Sequence, residues 1–246
     1  MILVASALAG CARAPASDGL TIRAAASLGD LLPAIADAWV AHGHARPTIA
    51  VDATSRVARQ ITAGAPTDLF IAADEEWMDE LARTRSLVED TRRDLWGNTL
   101  VLVTPRRVHA PPRSPSEIAD RVQRLALAAE SVPAGKYARA ALEKSGVMAT
   151  LAPRLVTADN VRTALAWAAR GEVDAAIVYA TDARAEPRVE LAFTFDQASH
   201  APIVYPATVI AGSRHVDEAR AFLAFCGGAE GRALAEAAGF RALPSP

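Results

Sequence analysis

The stretch Leu20-Thr21-Ile22-Arg23-Ala24-Ala25-Ala26-Ser27-Leu28 passes from a short apolar run into a hydroxyl, and beyond it Leu28, Leu31, Leu32, Ile35 and Trp39 recur at three- and four-residue spacing. A strand over Leu20–Ala25 followed by a helix capped by Ser27 fits both periods. The same design returns once more, and a third strand then meets a carboxylate. Thr48–Ala53 reads as a strand ending at Thr54-Ser55, ahead of a helix that carries Val57 and Ile61 and stops at Gly64. Asp68–Ala73 reads as a strand meeting Asp74, with Glu75 and Glu76 in the following first turn, where carboxylates suit the helix dipole. Strands alternating with amphipathic helices predict βα units around a parallel sheet, the α/β class.

The pattern continues along the chain. Strands are expected at Leu100–Val103, Leu125–Ala129, Ala175–Tyr179, Glu190–Phe195 and Ile203–Ile210, with a proline-rich connection over Pro111–Pro115. One helix should open at Val132-Pro133-Ala134-Gly135, where proline is permitted because its missing N–H would be unpaired anyway, and end near Gly146. Asp159-Asn160 should cap another, carrying Val161, Leu165 and Ala168 to Gly171, and helices should fill Val216 to Ala238. A boundary near Asn98 gives two lobes: residues 20–98 with 204–246, and residues 99–203.

Composition narrows the class. The 246 residues are 51% hydrophobic but only 5% aromatic, so the interior is built from Ala, Val, Leu and Ile, as in parallel sheets, and disorder is excluded. The 26 basic and 28 acidic residues leave a formal charge of -2, which offers no footprint for nucleic acid or anionic lipid. Lys136 and Lys144 are the only lysines, a skew attributable to coding bias. The histidines at 42, 44, 109, 200 and 215 are too scattered for a metal site, and no protein-held cation is expected. Asp74-Glu75-Glu76 and Asp79-Glu80 read as solvated helix faces. No nucleophile elbow, phosphate loop or Cys-His pairing appears, so neither an enzyme nor a cofactor is expected.

Met1–Gly10 is a short run rich in small apolar residues that ends in Leu8-Ala9-Gly10-Cys11. It is too short to span a bilayer and reads as an export signal with a lipobox. Cys11 would be acylated, and residues 12–19 would form a spacer between the membrane and the body. Cys226, in Phe222-Leu223-Ala224-Phe225-Cys226, reads as a buried thiol on an apolar helix face, so no disulfide is expected.

Ser27, Thr54-Ser55, Pro133-Ala134-Gly135 and Asn160-Val161 all lie where a helix opens close after a strand. Each start offers unpaired N–H groups at the positive end of a dipole, and in parallel sheets such ends gather at the strands' carboxyl edge. Singly, each is an ordinary cap; together they suggest an anion site.

Several blocks resemble the periplasmic molybdate-binding proteins of ABC importers: Ala24-Ala25-Ala26-Ser27-Leu28, Gly64-Ala65-Pro66-Thr67-Asp68-Leu69-Phe70-Ile71, Gly97-Asn98-Thr99-Leu100-Val101, Val132-Pro133-Ala134-Gly135-Lys136-Tyr137-Ala138, Asp159-Asn160-Val161-Arg162, Ile177-Val178-Tyr179 and Tyr205-Pro206. The resemblance implies a two-lobed type II periplasmic-binding fold, each lobe a mostly parallel sheet flanked by helices. It implies a monomeric carrier, periplasmic or at the cell surface, that brings molybdate or tungstate to an ABC transporter permease. It places the ligand on Ser27, Thr54, Ala134, Val161 and Tyr179. Thr54-Ser55 stands where the family usually shows a serine-rich pair, which leaves Ser55 as an alternative donor to Thr54. Neutral donors suit an anion that carries no proton. The rival ligands are sulfate and a small carboxylate, the latter needing an Arg fork for which Arg162 is the candidate. An enzyme on the same fold is the rival of a different class.

Overall fold

The computed structural model describes residues 19–84, 86–106 and 108–243. The lipobox and Cys11 lie outside them. Three strand-helix units open the chain: β1 (Thr21–Ala25) and α1 (Leu31–Ala41), β2 (Thr48–Asp52) and α2 (Thr54–Thr62), β3 (Leu69–Ile71) and α3 (Glu75–Arg83). Then come β4 (Arg93–Gly97), β5 (Leu100–Pro105), α4 (Pro115–Arg121), β6 (Leu125–Ala128), α5 (Pro133–Lys144), α6 (Met148–Leu151), β7 (Leu155–Ala158) and α7 (Val161–Ala169). The chain closes with β8 (Ala175–Tyr179), α8 (Ala180–Ala185), β9 (Val189–Thr194), β10 (Val204–Val209), α9 (Val216–Gly227) and α10 (Ala229–Ala237).

The strands form two five-stranded sheets, ordered β2-β1-β3-β10-β4 and β7-β6-β8-β5-β9. Within each sheet four strands point the same way, and one, β10 in the first and β5 in the second, runs against them. The reversed strand is in each case the one that has just crossed from the other sheet, β4 to β5 over Asn98-Thr99 and β9 to β10 over residues 195–203. The two sheets therefore repeat one topology without repeating a sequence.

Burial follows the periodicity. Leu28, Leu31, Leu32, Ile35 and Trp39 all face the interior, where Trp39 meets Phe222 of α9 edge-on at 5.3 Å. On the opposite face of the first sheet, Val57, Ala58 and Ile61 of α2 pack with Met78 and Leu81 of α3 over Phe70. Cys226 is fully buried with a free thiol. Gly64 ends α2 in the left-handed region at φ +87°, as its place after the last apolar residue suggests.

Ser27 departs from expectation. It does not cap a helix but sits in a single 3₁₀ turn, Ala26–Leu28, and α1 opens only after Asp30. Gly29 N–H closes that turn on Ala26 O at 3.2 Å, so the strand exit and the helix entry are separated by an extra turn. The proline-rich connection runs directly into α4, with Ser114 as the helix cap and Pro115 at its first position. Trp77 and Trp167 are only half-buried, whereas Trp39 and Trp96 are buried.

Gly135 is where α5 comes closest to the strand behind it, and a Cβ there would overlap the backbone carbonyl oxygens of Ala128 and Ala129. Backbone cannot yield as a side chain can, so Gly135→Ala should push out the first turn of α5. We expect a loss of about 1–3 kcal/mol in denaturant unfolding, the range for overpacking a tight site; an unchanged midpoint would show that the turn has slack.

Candidate ligand-binding site

Three strands of each sheet end at one cavity. Ala25, Ala26 and Ser27 lie at the end of β1, Ala53 and Thr54 beyond β2, and Ala73 beyond β3. From the second sheet, Val132, Pro133 and Ala134 follow β6, Asn160 and Val161 follow β7, and Tyr179 ends β8. The carboxyl edges of two sheets thus face each other across the space, the place where α/β folds hold ligands. The space left open in the cavity is about 10 Å³, far below the ~300–1,000 Å³ typical of sites for drug-sized molecules. That is about the room of one water, and none of its twelve lining residues is charged.

Ser27, Thr54, Ala134, Val161 and Tyr179, the positions singled out in the sequence, all line this cavity. Ser55, the alternative to Thr54, is buried next to it but does not line the cavity. Thr54, Ala134 and Val161 fall in the first turns of α2, α5 and α7, where N–H groups have no acceptor within the helix. Pro133 fixes the turn ahead of Ala134, and Asn160 caps α7 by accepting the Thr163 N–H at 3.0 Å.

Three hydroxyls join these first turns at the cavity. The Thr54 hydroxyl oxygen accepts the Ala73 N–H at 3.2 Å, which leaves its own hydrogen for another partner. Ser27 Oγ lies 2.9 Å from the Tyr205 hydroxyl. The Tyr179 hydroxyl is buried and has no hydrogen-bond partner among the described residues. Burial also raises its pKa well above the ordinary tyrosine value, so it stays protonated and able to donate. An orphaned buried hydroxyl costs about 1–3 kcal/mol, and one that lines a cavity is best explained by a ligand that completes it.

Around the cavity, side chains from one sheet hold backbone and carboxylates of the other. Trp77 Nε1 donates to Ser131 O at 3.0 Å, Tyr137 donates to Ala73 O at 3.3 Å, and Lys136 reaches Asp74 and Glu76. On the far side Arg56 meets Asp159 at 3.6 Å, and Arg162 meets Asp30 at 2.6 Å. Arg162, the candidate carboxylate fork, does not line the cavity. Its guanidinium sits 2.6 Å from the fully buried Asp182, in an ion pair whose N–H is not aligned on the oxygen, and also donates to Ser27 O at 3.4 Å. Its charge is already matched.

Asn98, Tyr205 and Asp182 are functional neighbours that the sequence did not single out for a role. Asp182 holds the turn after β8 by accepting the Tyr179 N–H at 3.2 Å. Burial pushes its pKa up to about 6, with Arg162 pulling against that rise. A carboxyl whose pKa is raised by folding stabilises the fold most below its unfolded value near 3.8, and that contribution is lost as pH rises through about 6. In equilibrium unfolding, the advantage of the wild-type protein over Asp182→Asn should therefore shrink between pH 4 and 6.5, by up to about 1.4 kcal/mol per pH unit. An advantage that grows over this window would mean that Arg162 outweighs burial.

Comparison with known proteins agrees with this geometry. Residues 20–241 match the family model of bacterial extracellular solute-binding proteins. The molybdate-binding protein ModA of Escherichia coli is 39% identical over 202 residues, covering 78% of this chain and 77% of its own length. That of Haemophilus influenzae is 33% identical over 216 residues, covering 85% of each chain. The periplasmic molybdate-binding protein of Azotobacter vinelandii superposes with a TM-score of 0.82 at 22% identity, covering 92% of this chain and all of its own, which shows a shared two-lobed fold. The chain belongs to the bacterial extracellular solute-binding proteins, in the branch that includes these ModA relatives.

Proposed function

We propose that the protein captures molybdate, and tungstate with it, between two lobes formed by residues 20–98 with 204–246 and by residues 99–203, and hands the anion to an ABC transporter permease. One observation carries this reading: six strand ends bring neutral donors, including an unpartnered phenol, to a small cavity that no charged side chain lines. The hydroxyls of Ser27, Thr54 and Tyr179 and the backbone N–H groups of Ala134 and Val161 would hold the anion's oxygens. A fully deprotonated tetrahedral dianion is acceptor-only, so donors suffice, and buried N–H and O–H dipoles act strongly in a dry cleft. Hydrogen phosphate would bring a proton that needs an acceptor, and a carboxylate would favour the Arg fork that Arg162 does not provide. Sulfate shares the charge and lacks the proton, so only size separates it.

In this reading the protein is a monomeric carrier with no cofactor and no reaction to catalyse. It works outside the cytoplasm, consistent with its extracellular solute-binding relatives and with Leu8-Ala9-Gly10-Cys11, where acylation would tether it. Among the described residues no helix is long and apolar enough to cross a membrane. The ties between Arg162 and Asp30 and between Lys136 and Glu76 would hold the lobes together over the bound anion.

Thermal melts test the ligand. Molybdate and tungstate at a hundredfold excess over Kd should each stabilise the protein by about 2.7 kcal/mol, while phosphate leaves the melt unchanged; stabilisation by sulfate or a carboxylate but not by molybdate would refute the assignment. Tyr179→Phe tests the site with two opposite signs. It should weaken molybdate binding by about 1.5–3 kcal/mol, the value of a hydrogen bond to a charged group. The unliganded variant should melt no lower than wild type, because the deleted hydroxyl has no partner to lose. Unchanged molybdate affinity would remove Tyr179 from the site.

A further inference from the structure

Behind the cavity, the Ser27 hydroxyl belongs to a chain whose donors and acceptors can be ordered. Thr99 N–H donates to Asn98 Oδ1 at 2.9 Å, which fixes the amide so that Nδ2 faces Thr181 Oγ1 at 2.9 Å and the Tyr205 hydroxyl at 3.1 Å. An amide nitrogen only donates, so the Tyr205 oxygen is the acceptor in that contact. Tyr205 is fully buried, and among the described residues the other hydrogen-bond partner of its hydroxyl is Ser27 Oγ at 2.9 Å. If Ser27 donated to it, the single phenol proton would be left in the interior without an acceptor. The phenol therefore donates to Ser27 Oγ, and the serine's own hydrogen is left for the cavity. Thr54 is held in the same sense by the Ala73 N–H.

We infer that Asn98 and Tyr205 are positioning residues that aim the Ser27 hydroxyl at the ligand as a donor, and that this one-way chain discriminates against oxyanions carrying a proton. The inference rests on the proposed oxyanion function and deepens it. Without the phenol, the Ser27 hydroxyl is free to rotate, so it can turn a lone pair toward the cavity and accept the proton of hydrogen phosphate. Selectivity then depends on an atom that does not line the cavity. Asn98 also stands at the crossing between the sheets and bonds Tyr205 of the first and Thr181, just beyond β8 of the second, so the aim of the hydroxyl is tied to the lobes' relative position.

Calorimetric titration of the full chain with sodium molybdate and with inorganic phosphate tests this in wild type, Tyr205→Phe, Ser27→Ala and the double variant. Tyr205→Phe should lower molybdate affinity roughly two- to tenfold and lower the molybdate-to-phosphate ratio. In the Ser27→Ala background the same change should alter molybdate affinity by less than about twofold and leave the ratio unmoved, because residues acting through one hydroxyl are not additive. Asn98→Asp, which replaces the donor with an acceptor and draws the phenol proton away from Ser27, should lower the ratio in the same direction. It gives the answer if Tyr205→Phe folds poorly. Equal losses from Tyr205→Phe in both backgrounds, or an unmoved ratio in Tyr205→Phe or Asn98→Asp, would overturn the inference alone. Failure of the wild-type protein to bind molybdate would overturn the proposed function and the inference with it.

Discussion

Hydrogen-bond donors withdrawn from water must find acceptors, and in this protein a buried phenol that lines the cavity has none among the described residues. Leaving one buried donor unmet costs on the order of 1–3 kcal/mol, and here first-turn residues of three helices line the same space as the unpartnered hydroxyl of Tyr179. A ligand made only of acceptors answers all of them at once. The guanidinium groups nearby are matched, that of Arg162 by Asp182 and Asp30 and that of Arg56 by Asp52 and Asp159.

That requirement explains the architecture around the cavity. A helix exposes its free N–H groups only at its start, and a parallel strand followed directly by a helix delivers that start to the sheet's carboxyl edge. Two sheets of matching topology, placed edge to edge, bring the ends of six strands together. Small residues at Ala53, Ala73 and Ala134 and the bare Cα of Gly135 allow backbone to approach where side chains would intervene. The hydroxyls are then ordered from behind, Thr54 by Ala73 and Ser27 by Tyr205.

What could be read in the sequence was local. Strand β8 falls where Ala175–Tyr179 indicated, and Asn160 caps α7 as its place before Val161 suggested. The first-turn positions of Thr54, Ala134 and Val161 follow from the same strand-to-helix rule, whereas their roles and that of Tyr179 came from family resemblance. Elements with little apolar signal escaped: β7 is a half-exposed edge strand, and α8 is a short helix without an apolar period. The N-terminal signal for α4 was present in Ser114-Pro115, but the surrounding prolines masked it. Ser27 was placed in a cap because Gly29-Asp30 gave no sign of the extra turn. The Ser27–Tyr205 contact joins residues 178 apart in sequence, and no periodicity encodes such a pairing.

The most direct measurement is a crystal structure grown with molybdate, with the metal located by its anomalous scattering. The account predicts a single strong peak in the cavity enclosed by Ser27, Thr54, Ala134, Val161 and Tyr179, with anion oxygens about 2.5–2.9 Å from the Ser27 and Tyr179 hydroxyls. A peak placed instead against the guanidinium of Arg162, or in the groove between α2 and α3 beside Arg59 and Trp77, would contradict it.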